Sequence, residues 1–266
     1  SHEIRTPMNG VLGMTQILRS THLTPEQEDC LQTIESSTGS LLSIINDILD
    51  FSKIEAGKLG IERVAMNPRD IVEHTLELVA PAAIAKGLSL YGNVGDTVPE
   101  GVYGDPTRIR QILMNLASNA VKFTEKGEVH IDVAVRAGGM IEFAVVDTGI
   151  GIPKDRLDAV FQSFTQVDGS TTRRYGGTGL GLTITKQLVG LMGGQIHIES
   201  VVGSGTIFRV SIPLPTCELN DAAALPRLGG ARVLVIEPAG GARDALERLL
   251  QDAGAMTRAF GGLKEV

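Results

Sequence analysis

The chain carries only two cysteines in 266 residues, Cys30 and Cys217, far apart and without CxxC or zinc-like spacing. That excludes a disulfide scaffold and a cysteine metal site, and it fits a reducing, cytoplasmic setting. No apolar run approaches the ~20 residues of a membrane span, and no signal-peptide pattern opens the chain. Positive charge is not in excess either: 24 Lys and Arg stand against 31 Asp and Glu, a formal net charge of -7, which argues against nucleic acid as the main partner. What the chain does have is 42% hydrophobic residues, enough for two domains each with its own core. It opens inside a helical pattern and closes inside an α/β pattern. We therefore expect a fragment of a larger protein, with any sensor or membrane segment upstream.

Two helices come first. Ile4, Met8, Val11, Thr15 and Leu18 step by four and three residues, the seam of a coiled-coil-like helix. Thr24-Pro25-Glu26-Gln27 reads as a capping box with proline at the first helical position. In the helix it opens, Leu31, Ile34, Thr38, Leu41, Ile45, Ile48 and Ser52 keep the same rhythm, and Gly57 is a stop signal. Leu42, Ile44 and Leu49 widen the stripe beyond what one partner helix covers. A dimeric four-helix bundle buries such faces best, the alternative being a hairpin packed on its own domain.

From residue 59 to 215 the pattern becomes α+β. The spacing predicts strands near 59–65, 88–94, 128–136, 140–147, 194–201 and 205–213, with helices near 68–86, 106–123 and 179–193. The link Ala137-Gly138-Gly139 reads as a hairpin and the strands as mutually antiparallel, one sheet face covered by helices. A long Gly, Ser and Thr-rich stretch between Thr148 and Gly181 reads as a lid or binding loop. Residues 216–230 read as a linker, and 231–266 as a strand, a helix near 241–253 and a strand near 255–260.

Four stretches carry candidate chemistry, each with a plain structural reading beside it. If Ile4 is d and Met8 is a, then His2, Glu3 and Thr6 fall at b, c and f, outside the bundle. An exposed imidazole is mostly neutral at pH 7 and its lone pair is nucleophilic; Glu3 can orient it or take its proton. The same residues also suit an ordinary solvated helix face. Asn115, Asn119 and Lys122 form a polar row opposite the apolar Ile109, Ile112, Leu113, Leu116 and Ala120. Amide oxygens suit Mg²⁺ and an ammonium suits phosphate, although a helix surface without function is the alternative. Asp147 ends a buried-strand pattern and leads into Gly149 and Gly151, where a carboxylate can accept from a purine amino group and glycines admit the base. Gly176-Gly177-Thr178-Gly179-Leu180-Gly181 opens a helix, whose N–H groups favour phosphate, without Walker or dinucleotide spacing.

Taken together and in this order, the four stretches resemble the sensor histidine kinase family over residues 1 to about 214. His2-Glu3-Ile4-Arg5-Thr6-Pro7 is similar to its H box, with His2 the implied phosphoacceptor. Asn115 to Phe123 resembles the N box, implying Asn119 as Mg²⁺ ligand and Lys122 as phosphate contact. Asp147 to Gly151 resembles the G1 box, with Asp147 reading adenine. Phe161-Gln162-Ser163-Phe164 resembles the F box, Gly177 to Leu182 the G2 box, and Gly203-Ser204-Gly205-Thr206 the G3 motif. Many members carry arginine after the F box; here Gln166 stands there, so Arg173 or Arg174 is the expected γ-phosphate contact.

The resemblance implies ATP and Mg²⁺, autophosphorylation of His2 and transfer to an aspartate of a receiver domain, in the same protein or a separate response regulator, or to a phosphotransfer protein. It also implies a homodimer, phosphatase activity with Thr6 placing a water, and neither nucleic-acid nor membrane contact in this stretch. The expected architecture is a hairpin over 1–58 forming a four-helix bundle, an ATP-binding α+β sandwich over 59–215, a linker, and over 231–266 the start of a receiver-like α/β domain. Glu237-Pro238 offers one acid where a receiver carries two, so a pseudo-receiver docked on the core and restraining a hinge at Ser52–Gly60 is the expectation. A conformational ATPase of the gyrase and chaperone type is the rival reading, since such ATPases share the second fold without the H box.

Overall fold

The structure is a computed structural model that describes residues 2–163, 179–219, 228–237 and 240–261. Two helices open it, α1 (His2–Arg19) and α2 (Pro25–Glu55). The capping box forms as expected: the Gln27 amide donates to Thr24 Oγ1 at 3.3 Å, and the Thr24 amide to Gln27 Oε1 at 2.9 Å. Gly57, at φ 63°, ends the helix. The short connection folds α1 back on α2, where Arg19 reaches Glu35 at 2.6 Å and Glu28 at 3.6 Å.

Seam residues Thr15, Leu31 and Thr38 are buried within this hairpin. Much of the stripe is not. Ile4, Val11, Leu18, Ile34, Leu41, Ile44 and Ile48 are exposed, and so, beside the predicted stripe, are Met14 at 65% and Ile17 at 61%. One hairpin therefore leaves an apolar face wider than its own partner helix covers.

The second unit contains β1 (Val64–Met66), α3 (Pro68–Lys86), β2 (Ser89–Val94), β3 (Val102–Gly104), α4 (Pro106–Phe123), β4 (Glu128–Arg136), β5 (Met140–Asp147), α5 (Gly181–Leu191), β6 (Gln195–Val201) and β7 (Gly205–Pro213). Five strands form one sheet in the order β2-β4-β5-β7-β6, and β1 pairs with β3 apart from it. The hairpin at Ala137–Gly139 is present, with Gly138 and Gly139 at positive φ.

Three readings need correction. β2 runs parallel to β4, with Ser89 opposite Glu128 and Val94 opposite Val133, so the sheet is mixed. The connection between them crosses over through α4, and a crossover of that length delivers a parallel neighbour. The first strand is shorter than 59–65, covering residues 64–66. β3 escaped detection because its three residues are held by distant partners, β1 and the Pro215 carbonyl.

Why one sheet face is dry follows from strand alternation. Val129, Ile131 and Val133 of β4, with Ile141, Phe143 and Val145 of β5, point toward Ile109, Ile112, Leu113 and Leu116 of α4 and Leu188 of α5, all buried. Such burial stabilises by about 25 cal/mol per Å² of apolar surface. The outer face is polar there: Arg136, Glu142, Arg209 and Glu199 form a ladder, Arg136 to Glu142 at 2.6 Å and Arg209 to Glu199 at 3.0 Å. Burial pushes the Glu142 carboxyl up, but hydrogen bonds and charge from Arg136 and Arg209 outweigh it and hold it below its ordinary value.

The end of α2 docks on this unit. Phe51, Ile54 and Leu59 pack against its core, Asp50 Oδ2 accepts from Arg108 at 3.2 Å and Gln111 at 2.8 Å, and Gln187 donates to Glu55 at 3.1 Å. Further on, β8 (Arg232–Ile236), α6 (Gly241–Asp252) and β9 (Met256–Phe260) fold with the two strands parallel, and α6 lies against β2.

Candidate active site

Four elements converge at one end of the sheet: the last turns of α4, the end of β5, the start of β7 and the N-terminus of α5. Asp105 starts α4 by accepting the Arg108 amide at 3.0 Å, and it ties the preceding chain by accepting the Glu62 amide at 2.9 Å. The far end of α4 is held by Lys86, whose ammonium donates to the carbonyls of Val121, Lys122 and Thr124 at 2.6, 2.8 and 3.1 Å. A cation there complements the helix dipole and fixes the turn that carries Lys122.

On that helix Asn115 and Asn119 sit one turn apart. Asn115 Nδ2 donates to Thr185 Oγ1 of α5 at 2.9 Å, and Asn119 Nδ2 approaches Asn115 Oδ1 at 3.4 Å. Asn115 is thus engaged in joining α4 to α5, and Asn119 is the amide next along the row toward Lys122. Burial pushes the Lys122 ammonium below its ordinary value, which a nearby anion would reverse. Its Nζ lies 5.0 Å from the centre of the Phe123 ring.

Asp147 is 9% exposed at the end of β5, opposite Thr206 of β7. Burial pushes its carboxyl above the ordinary value, opposed by amide donors at Gly149 (2.8 Å) and Thr206. Gly149 has no room for a side chain: a Cβ there would run into the Phe123 carbonyl and lie 2.9 Å from both Asp147 Oδ1 and Thr124 Oγ1. A Cβ on Gly151 would strike the Val201 carbonyl. Gly205, at φ 107°, and Gly151, at φ 69°, both use glycine's backbone freedom, and a side chain on Gly205 would also strike the Asp147 carbonyl. Ser200 ties this corner together, donating to or accepting from Thr206 at 2.9 Å and accepting the Ile152 amide at 2.7 Å.

α5 starts at Gly181, after Gly179 at φ 68° and a buried Leu180 whose own side chain makes no cap hydrogen bond. A helix N-terminus is a favourable place for phosphate. A Cβ on Gly181 would collide with the Asn115 amide, so the close approach of α5 to α4 needs glycine there. Thr183 donates to the Phe161 carbonyl at 3.0 Å, and the Phe161 ring meets Phe208 edge to face at 6.4 Å, anchoring the F box to the core.

The structure therefore brings Asn115, Asn119, Lys122, Phe123, Asp147, Gly149, Gly151, Gly179, Leu180, Gly181 and Thr206 to one region. His2, Glu3 and Thr6 lie instead on α1, in the hairpin; Thr6 is exposed, and the side chains of His2 and Glu3 are outside the description. Phe164, Gln166, Arg173, Arg174, Gly177 and Thr178 lie outside the described residues. Lys86, Thr185 and Ser200 were missed by sequence reasoning. The one local signal was Lys86 in the last turn of its helix, and its partners lie 35 to 38 residues away. Among the described residues no group of three or more His, Cys, Asp or Glu could hold a metal ion, and no helix is long and apolar enough to cross a membrane. A Mg²⁺ held by one amide oxygen, water and substrate phosphates fits the donors present around Asn119.

Comparison with known proteins agrees with this arrangement. Residues 1–57 match the family described as the His Kinase A (phospho-acceptor) domain, and residues 104–216 the Histidine kinase-, DNA gyrase B-, and HSP90-like ATPase. The chain is 46% identical over 272 residues to sensor protein GacS of Pseudomonas syringae pv. syringae, covering 100% of this chain and 30% of that protein. It is 45% identical over 244 residues to the signal transduction histidine-protein kinase BarA of Escherichia coli strain K12, covering 90% of this chain and 27% of that protein. The chain thus spans less than a third of either relative. The crystal structure of full-length ShkA in complex with AMPPNP superposes with a TM-score of 0.77 at 34% identity, over 99% of this chain and 55% of that one. A conformational ATPase alone would not carry the phosphoacceptor hairpin. With that hairpin leading directly into this ATP-binding domain, the chain belongs to the sensor histidine kinase family and contains its catalytic core.

Proposed function

We propose that Mg-ATP binds between α4, α5 and the ends of β5 and β7, and that the chain transfers its γ-phosphoryl group to an imidazole nitrogen of His2. The observation that carries the nucleotide half is Asp147, a carboxylate buried in the pocket with its pKa pushed up, which a purine amino donor would satisfy. Asn119 is the Mg²⁺ ligand, Lys122 and the start of α5 hold phosphate oxygens, and Arg173 or Arg174 contacts the γ-phosphate. Phosphoryl transfer needs mainly in-line positioning and charge neutralisation, which these groups supply. The imidazole lone pair attacks phosphorus, the bond to the leaving ADP oxygen breaks, and Glu3 takes the ring proton.

Hairpin geometry supports the reach. With Arg19 fixed beside Glu28 and Glu35, α1 runs back about 26 Å at 1.5 Å per residue, which brings His2 level with the docked end of α2 around Asp50. Movement of the ATP-binding domain about the chain near Ser52–Gly60 then brings nucleotide to histidine. The exposed apolar stripe of α1 and α2 is covered by a second copy, giving a homodimeric four-helix bundle. The phosphohistidine passes its group to an aspartate of a receiver domain, in a cytoplasmic setting, and in the phosphatase reaction Thr6 places a water that hydrolyses the receiver's aspartyl phosphate to aspartate and inorganic phosphate.

Incubation with γ-labelled ATP tests this directly. Acid-labile, base-stable label is expected on the wild-type chain and none on His2→Gln, which keeps its ATP affinity. Asn119→Ala loses Mg-ATP binding itself. Label persisting in His2→Gln would overturn the assignment of the nucleophile.

A further inference from the structure

The outer face of the sheet carries a second feature, remote from the nucleotide. β2 is an edge strand, and Tyr91 and Asn93 stand two residues apart on it, so they share a face with His130 and Asp132, their register partners on β4. That face is opposite the one Val129, Ile131 and Val133 present to the helices. Tyr91 is held rigidly: its ring stacks on His130 at 4.7 Å between centroids and 8° between planes, and its hydroxyl donates to Glu128 at 3.2 Å. Burial first, and then the negative charges of Glu128, Asp132 and Asp244, push the Tyr91 hydroxyl up to about 12, so it stays a donor.

α6 meets this face with residues spaced to fit it. Gly241, Asp244 and Arg248 fall at i, i+3 and i+7, on one side of the helix. Gly241 lies against Tyr91 so closely that a Cβ would collide with the hydroxyl oxygen and sit 2.6 Å from Cζ. Two turns on, Arg248 donates to Asn93 Oδ1 at 3.3 Å. Arg248 also acts electrostatically on Asp132: burial raises the Asp132 carboxyl, but His130, Asn93 and Arg248 outweigh it and keep it below its ordinary value. A side-chain-free helix start over a clamped tyrosine, with a cation two turns later on the Asn93 amide beside Asp132, is complementarity at two separate points.

We propose that the outer face of the sheet at β2 and β4 is a docking surface for the β8-α6-β9 segment, so that this segment rides with the ATP-binding domain when that domain moves relative to the hairpin. The seat lies on the sheet face away from α4 and α5, so docking leaves the nucleotide pocket open. The riding half rests on the kinase reading above; the docking half does not.

Cross-linking tests both. In the full chain with Cys30→Ser and Cys217→Ser, the pair Asn93→Cys and Arg248→Cys is treated with a short bis-maleimide. The expected intramolecular yield is at least ten-fold above that of Asn93→Cys with Leu246→Cys, which places the second thiol on the other side of α6. Gly241→Leu, a wedge, should cut the yield at least ten-fold. Because that change could disturb the segment itself, Tyr91→Trp, a wedge against Gly241 from the sheet side, should give the same loss while amide exchange in β8 and β9 stays unchanged. Equal yields for the two pairs, or a yield indifferent to both variants, would overturn the docking surface. The tethered protein should label His2 from ATP within two-fold of the untethered one, and a ten-fold loss on tethering would overturn riding. Absent labelling before tethering would count against the kinase reading alone, with the cross-link yields still deciding the docking surface.

Discussion

Gly181→Ala tests how closely α5 is set against α4. The added methyl would run into Asn115 Oδ1 and lie 3.0 Å from its Cγ, where ordinary contact begins at 3.4 Å. Gly181 does not need a positive φ, so the damage comes from contact and not from backbone strain. Asn115 cannot turn aside freely, because its Nδ2 donates to Thr185 Oγ1 at 2.9 Å and Thr185 is buried. Overpacking of this kind costs about 1–3 kcal/mol, while replacing glycine by alanine in a helix returns up to about 1 kcal/mol. The net expected loss is about 1–2 kcal/mol, or roughly 2–8 °C in Tm for a domain of this size. In an Asn115→Ala background the three atoms nearest the methyl are gone, and the same change should be neutral or mildly stabilising. Asn115→Ala alone loses a hydrogen bond of about 1 kcal/mol. The double-mutant cycle should therefore show a coupling of about 2 kcal/mol, within the range of residues in contact. Calorimetry on the four full-length proteins, following the ATP-binding transition, measures it. Equal losses in both backgrounds would refute the contact argument.

Lys86→Met removes the donor shared by three carbonyls at the end of α4, and it should lower stability by about 1–3 kcal/mol and weaken ATP binding, as read by calorimetry and nucleotide titration. Asp147→Asn should weaken ATP binding yet raise Tm at pH 7. The folded carboxyl is pushed above its unfolded value, so the stability it contributes is present at low pH and is lost as pH rises from the unfolded value, near 3.8, through the folded one. The gain from Asn should consequently fade on acidification, and a gain unchanged down to pH 3 would contradict the burial argument. Asp50→Ala releases Arg108 and Gln111, a partly buried pair of about 1 kcal/mol, so the undocked population of α2 should rise about five-fold, seen as faster amide exchange over residues 48–55. Thr6→Ala should keep autophosphorylation within about three-fold while losing phosphatase activity, and parallel loss of both would make Thr6 a structural residue.

The sequence alone carried the local signals. The capping box at Thr24, the glycine stop at Gly57, the apolar face of α4 and the alternation of β4 and β5 all depend on residues within a few positions of one another. The order of the motifs from His2 to Thr206 marked the family for the same reason, since each box is contiguous. Pairing direction was not legible: β2 looks like any edge strand, and its parallel register with β4 is set by a crossover of more than thirty residues. Nor could the sequence divide the labour of the two asparagines. That Asn115 faces Thr185 while Asn119 lies toward Lys122 depends on where α5 packs, and α5 approaches only because Gly181 has no side chain. Lys86, the Ser200 bond to the Ile152 amide and the Tyr91–Gly241 contact acquire their roles from neighbours tens to more than a hundred residues away. Local propensity fixes elements because their hydrogen bonds close within a few residues, whereas the site is assembled by packing between elements, and only the folded chain decides which side chains those contacts bring together.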